Sequence, residues 1–330
     1  MLTRLGMAVR TYVIRSPWTR VYGIARTLIA LGTLGTLAAS ATTSLFTPAQ
    51  GVPDAPYCSG VTRAALFCVI PADRLEWGRW VAIAILVVTA SGWRPRWTAL
   101  PHWWVTVSVS TTMTIPDGGD QIAANLALLI LPIALSDPRV WHWAPPADGG
   151  LVDATRLGRS LIAWSAGLVI RLQVAGIYFQ ACVAKLSHDE WANGTALYYW
   201  LSDPLFGAPA WLQPVLHPVL MSSLGVLLLT WVPLVIEFAL VLGLVARRPV
   251  RPYLLLSGIL LHAGIGAMMG LWSFAFAMFG ALVLYLWPLD ETTAGLVVLT
   301  SRLRRSPSAR PAADASPLPE SSGALVRRSA

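Results

Sequence analysis

Lysine is all but missing from this chain: of 24 basic residues among 330, Lys185 is the single lysine and the rest are arginine. Charge of any kind is scarce, at 12% of residues against roughly 25% in an ordinary soluble domain. With 55% of residues hydrophobic, that shortage excludes a soluble globular protein. Cysteine is also rare, at three residues, and no Cys/His spacing of a metal site occurs. The Gly-rich phosphate loop and the nucleophile elbow are absent too, so the common signatures of soluble enzymes are missing.

What is present is a series of apolar stretches. Several run about 17 residues or longer with few charges, enough at about 1.5 Å per residue to cross a hydrocarbon core of roughly 30 Å. They predict an all-α, polytopic helical bundle with spans at 24–46, 79–93, 99–115, 120–136, 160–187, 218–246, 253–270 and 271–288. The second and third are short or polar, which predicts tilting or shielding by neighbouring helices. Residues 1–23 are basic and are expected on the cytoplasmic membrane surface, and 24–290 form the transmembrane domain. Residues 291–330, with SRLRRSPSARPAADASPLPESSG, have the composition of a disordered tail. A rival reading takes LIALGTLGTLA and the small residues Ala39, Ser40 and Ala41 as a cleaved signal peptide, leaving seven spans.

The net charge of +8 follows topology instead of forming one patch, so no nucleic-acid partner is expected and membrane lipids are. Arg4, Arg10, Arg15 and Arg20 precede the first span, Arg94 and Arg96 separate the second and third, and Arg139, Arg156 and Arg159 the fourth and fifth. Arg247, Arg248 and Arg251 separate the sixth and seventh, and Arg302, Arg304, Arg305, Arg310, Arg327 and Arg328 follow the eighth. With eight crossings all these segments share one side. The positive-inside rule then puts both termini in the cytoplasm, in a multi-pass protein of a bacterial cytoplasmic membrane. Cys58 and Cys68 fall in the opposite, oxidising loop and either close a local disulfide or stay free; Cys182 lies within the fifth span as a packing residue.

Charged groups inside a bilayer cost at least about 2.5 kcal/mol each on insertion scales, so those retained are functional candidates. Arg171, Glu237 and His262 fall about 14 to 17 Å from the inner surface by residue count. That common depth predicts an Arg171–Glu237 ion pair near His262, either as a clamp between helices or as part of a permeation path. Lys185 lies near the outer end of the fifth span, on one face with Arg171, Tyr178 and Cys182. It either snorkels to the interface or, unlike arginine, serves as a base once burial makes it a neutral amine. Beside it HDEWANG brings Trp191 and Asn193, and across the same face IPDGGDQI brings Asp117, Asp120 and Gln121, a polar mouth for a substrate or cofactor.

The stretch YFQACVAKLSHDEWANGTALYYWL resembles the signature of the membrane domain shared by vitamin K-dependent gamma-carboxylases and the bacterial HTTM proteins. SPWTRVYGIARTLIALGTLGTL, DGGDQIAANLALLILP and SDPRVWHW are similar to the sporulation-delaying protein B branch of that group. The carboxylase resemblance implies Lys185 as the base acting on a reduced quinone such as vitamin K hydroquinone, with His262 matching a histidine on a late helix. The chain is expected to depart from the carboxylases in lacking their large lumenal domain, and DGGDQI carries no histidine where they have one. The branch resemblance implies maturation of a secreted antimicrobial peptide together with an SdpA-like partner. The alternative is a non-enzymatic export or immunity factor.

Overall fold

In the computed structural model, which describes residues 16–48, 55–114, 116–145, 154–204 and 207–287, the apolar stretches are helical. No strand occurs among the described residues, only an isolated bridge between Trp93 and Trp141. The long helices are α1 (Arg20–Ala39), α2 (Leu75–Ser91), α3 (Pro95–Thr112), α4 (Gly118–Ser136), α5 (Ala154–Leu186), α6 (Ser223–Leu242), α7 (Arg251–Met269) and α8 (Trp272–Leu286). The first 15 residues and the expected tail lie outside the described residues.

Five of these helices, α1, α4, α5, α6 and α7, are long and apolar enough to cross a membrane, so the chain is a multi-pass membrane protein. The apolar α8 has 15 residues. α2 has 17 residues and opens on Glu76 and Arg79, and α3 carries Thr98, His102, Thr106, Ser108 and Ser110 on its turns. The expected span 218–246 is divided in two. Ser222 caps α6 by accepting from Gly225 N at 3.3 Å, and Gln213–Leu220, with Pro218 inside it, stands apart as a short helix.

Packing centres on α1 and α8, which approach closely because glycines face each other's backbones. A Cβ on Gly32 would fall 2.8 Å from Ser273 O, and one on Gly280 would fall 2.6 Å from Ile29 Cγ1 and 2.8 Å from Ala25 O. In lipid, where there is no hydrophobic drive between helices, such small-residue contacts hold a bundle together. α4 and α5 add Leu126, Ile130, Ile133, Ile170 and Val174 to the same core. A second core joins Leu37 of α1, Leu86 of α2, and Val105 and Val109 of α3 with Phe46 and Phe67 of the covering loops. There Arg79 ties α2 to the end of α1, donating to Leu37 O at 2.7 Å.

The bundle has two distinct ends. At one, the arginine end, Arg20 donates to Trp143 O at 3.1 Å and Arg139 holds Asp137. At the other, Cys58 and Cys68 are joined in a disulfide with Cα atoms 5.6 Å apart, and Asp117 caps α4 by accepting from Asp120 N at 2.8 Å.

Candidate functional site

The site grows from one face of α5. Its 33 residues span about 50 Å, more than a hydrocarbon core of roughly 30 Å, so it tilts or projects. Tyr178, Cys182 and Lys185 are spaced four and three apart, so they stack on one face at the disulfide end. Tyr178 and Cys182 are buried and Lys185 is half-buried. Opposite them, α6 presents Glu237, buried at 4% exposure, one turn beyond Pro233. Lys185 Nζ donates to Glu237 Oε1, and the Cys182 thiol lies 3.9 Å from Glu237 Oε2. From α7, His262 Nε2 meets the Tyr178 hydroxyl at 3.0 Å.

Two aromatic rings close the cluster. Trp191 stands with its centroid 5.2 Å from Lys185 Nζ, within range of a cation–π contact. Phe274 of α8 packs edge-on to His262 at 5.3 Å between centroids. Its neighbour Ser273 donates to Asp117 Oδ2 at 2.6 Å, and Asp120 accepts from Thr36 at 3.3 Å. Asp117, Asp120, Thr36 and Ser273 line a cavity of about 530 Å³ between α1, α4 and α8. Asp117 and Asp120 therefore adjoin the lysine site through the Ser273–Phe274 pair, and Gly119 is tight against that pair, with a Cβ there 2.4 Å from Phe274 Cα. Gln121 and Asn193 are exposed; Asn193 accepts from the Thr195 hydroxyl at 2.6 Å and lines a separate open hollow of about 570 Å³ with Asp189, Glu190 and Tyr199.

Arg171 is not the partner of Glu237. Its Nε donates to Tyr285 O at 3.0 Å at the arginine end, and the carboxylate belongs to Lys185. Side-chain direction accounts for the difference. Helix side chains lean toward their own N-terminus, so on antiparallel α5 and α6 Arg171 and Lys185 lean toward the arginine end and Glu237 toward the disulfide end. Lys185 and Glu237 converge, while Arg171 turns away. The lone amine expected from the sequence is thus half of an ion pair.

A second polar cluster, at the arginine end, escaped the sequence reading. Arg26 of α1 is fully buried and donates to Thr98 of α3 at 2.7 Å, and His102, Asp137 and His142 are buried nearby. Its signal was a four-residue spacing, Tyr22 to Arg26 and Thr98 to His102, hidden because Arg26 sits at the edge of an otherwise apolar run.

Among curated proteins, an uncharacterized protein, YitO, of Bacillus subtilis (strain 168) is 38% identical over 295 residues, 88% of this chain and 93% of the relative. Sporulation-delaying protein SdpB of the same organism is 33% identical over 294 residues, 88% of this chain and 87% of the relative. No family model matches the chain, and no solved structure does.

Proposed function

We propose, from the premise that the chain belongs to the sporulation-delaying protein B family, that it matures an exported antimicrobial peptide at the outer face of the membrane. The single observation that carries this is the Lys185–Glu237 pair, set against Tyr178, Cys182 and His262 at the disulfide end. The positive-inside rule puts the arginine end in the cytoplasm, so that cluster opens outward on an eight-crossing bundle. Glu237 takes the lysine proton and the neutral amine then removes one from the substrate, with the Tyr178–His262 pair as a second donor and acceptor. The cavity at Asp117 and Asp120 would admit a basic peptide segment, and an SdpA-like partner would supply the remaining substrate surface.

Lys185→Arg tests the reading, because arginine keeps charge and length but cannot be neutralised. Expressed with the secreted peptide and its SdpA-like partner, that variant should release only unprocessed peptide, read by mass spectrometry. Maturation at the wild-type level would leave a non-enzymatic export or immunity role as the better account. A reduced quinone, implied by the carboxylase resemblance, meets a fitting contact set in the Phe274 ring and His262, whose Nδ1 is buried without a hydrogen-bond partner. Bound there it would supply a reducing aromatic diol. Lipid extracted with the purified protein should then contain quinone above the background of an unrelated membrane protein.

A further inference from the structure

Arg26 lies on the second turn of α1, fully buried at 0% exposure. Its Nη2 donates to Thr98 Oγ1 at 2.7 Å, whereas Nε and Nη1 have no hydrogen-bond partner. A guanidinium does not deprotonate in proteins, so a permanent positive charge is enclosed here with its Nε–H and both Nη1–H bonds unspent.

Among the described residues nothing around it cancels that charge. Asp137, the acid within electrostatic reach, is taken by Arg139, which donates Nε to Oδ1 at 2.9 Å and Nη2 to Oδ2 at 2.8 Å. Tyr22, one turn before Arg26 on the same face, and His102, one turn beyond Thr98, are both buried within electrostatic reach of the guanidinium. The Tyr22 hydroxyl and His102 Nε2 also lack partners. His142 closes the arginine end, its Nε2 at 3.3 Å from Thr27 Oγ1; burial above all, then Arg26 and Arg139, pushes its pKa down to about 3, so it adds no charge near neutral pH. Two arginines against one aspartate leave one positive charge in excess. Water could fill the empty hydrogen bonds but not balance that charge, and unpaired buried charge is what folded proteins avoid.

We propose that Arg26, Tyr22 and His102 together hold a small inorganic anion, bound by the free guanidinium N–H groups, the tyrosine hydroxyl and the imidazole N–H. Chloride, bicarbonate and phosphate share the required chemistry, a compact anion that accepts hydrogen bonds from several directions. A phospholipid headgroup carries the same chemistry from a second source.

The full-length protein, purified in detergent and exchanged into gluconate at fixed ionic strength, is titrated separately with chloride, bicarbonate and phosphate while its thermal unfolding midpoint is followed. One of these should raise the midpoint saturably. Tyr22→Phe should weaken the apparent affinity about fivefold, the loss of one hydrogen bond, and Arg26→Gln should abolish the response. Should Arg26→Gln fail to fold, Tyr22→Phe carries the test. A midpoint that responds only to added phospholipid, with stoichiometric phosphorus on the wild type and not on Tyr22→Phe, assigns the site to a headgroup. Identical midpoints in every salt and no bound phosphorus would overturn the site altogether.

Discussion

The centre of the bundle and the helices bearing the lysine site are built on different principles. α1 and α4 bury 56% and 50% of their apolar windows inside the protein, while α6 and α7 bury 28% and 22%. The centre is held by interlocked shape, through Gly32, Gly280 and the buried face of α8. α6 and α7 turn most of their surface outward, as Val235, Phe238, Leu256 and Leu260 show, and reach α5 through a few polar contacts. The Lys185–Glu237 and Tyr178–His262 pairs therefore sit where packing is thin and pairing is specific. Local openings and functional motion generally concentrate in regions of low contact density.

The contrast can be broken most forcefully at Gly280. Gly280→Leu should cost about 3 kcal/mol or abolish folding, since its side chain would have to displace Ile29 and the α1 backbone, whereas Leu260→Ala on the outward face of α7 should stay within about 0.5 kcal/mol. Fluorescence-detected chromatography after heating compares the two. Next in size is Glu237→Leu, which strands Lys185 and should cost about 3 kcal/mol; adding Lys185→Met should recover most of the stability and none of the peptide maturation. Full recovery of maturation in the double variant would remove chemistry from this pair. Smallest within a single pH unit is the effect of acid on the other half. Above about pH 6.5 His142 is neutral folded or unfolded and contributes nothing; below it the unfolded chain takes up a proton that the folded chain refuses, down to about pH 3. Stability should therefore fall by about 1.4 kcal/mol per pH unit in that window, and His142→Gln should flatten the slope by one proton.

Most helices could be read from the chain because lipid solvation imposes long apolar runs, and the face Tyr178, Cys182, Lys185 followed from helical spacing alone. Two things could not be read so directly. Partner choice around Glu237 depended on the lean of side chains in antiparallel helices, which counting residues from a membrane surface ignores. Arg26 falls just inside the expected first span, and only the packing of α3 against α1 reveals that it is sealed in. The break at Met221 and Ser222 was likewise not read, since Val219, Leu220 and Met221 run on into the apolar α6 without a charge between them.

The turn joining α7 to α8 runs through Gly270, at φ 73°, and then sets two consecutive side chains against different neighbours, Ser273 on the acid at the lip of the cavity and Phe274 on the buried imidazole. One peptide bond thus ties the wall of the Asp117–Asp120 cavity to the packing of His262, so the two sites share a single backbone hinge point.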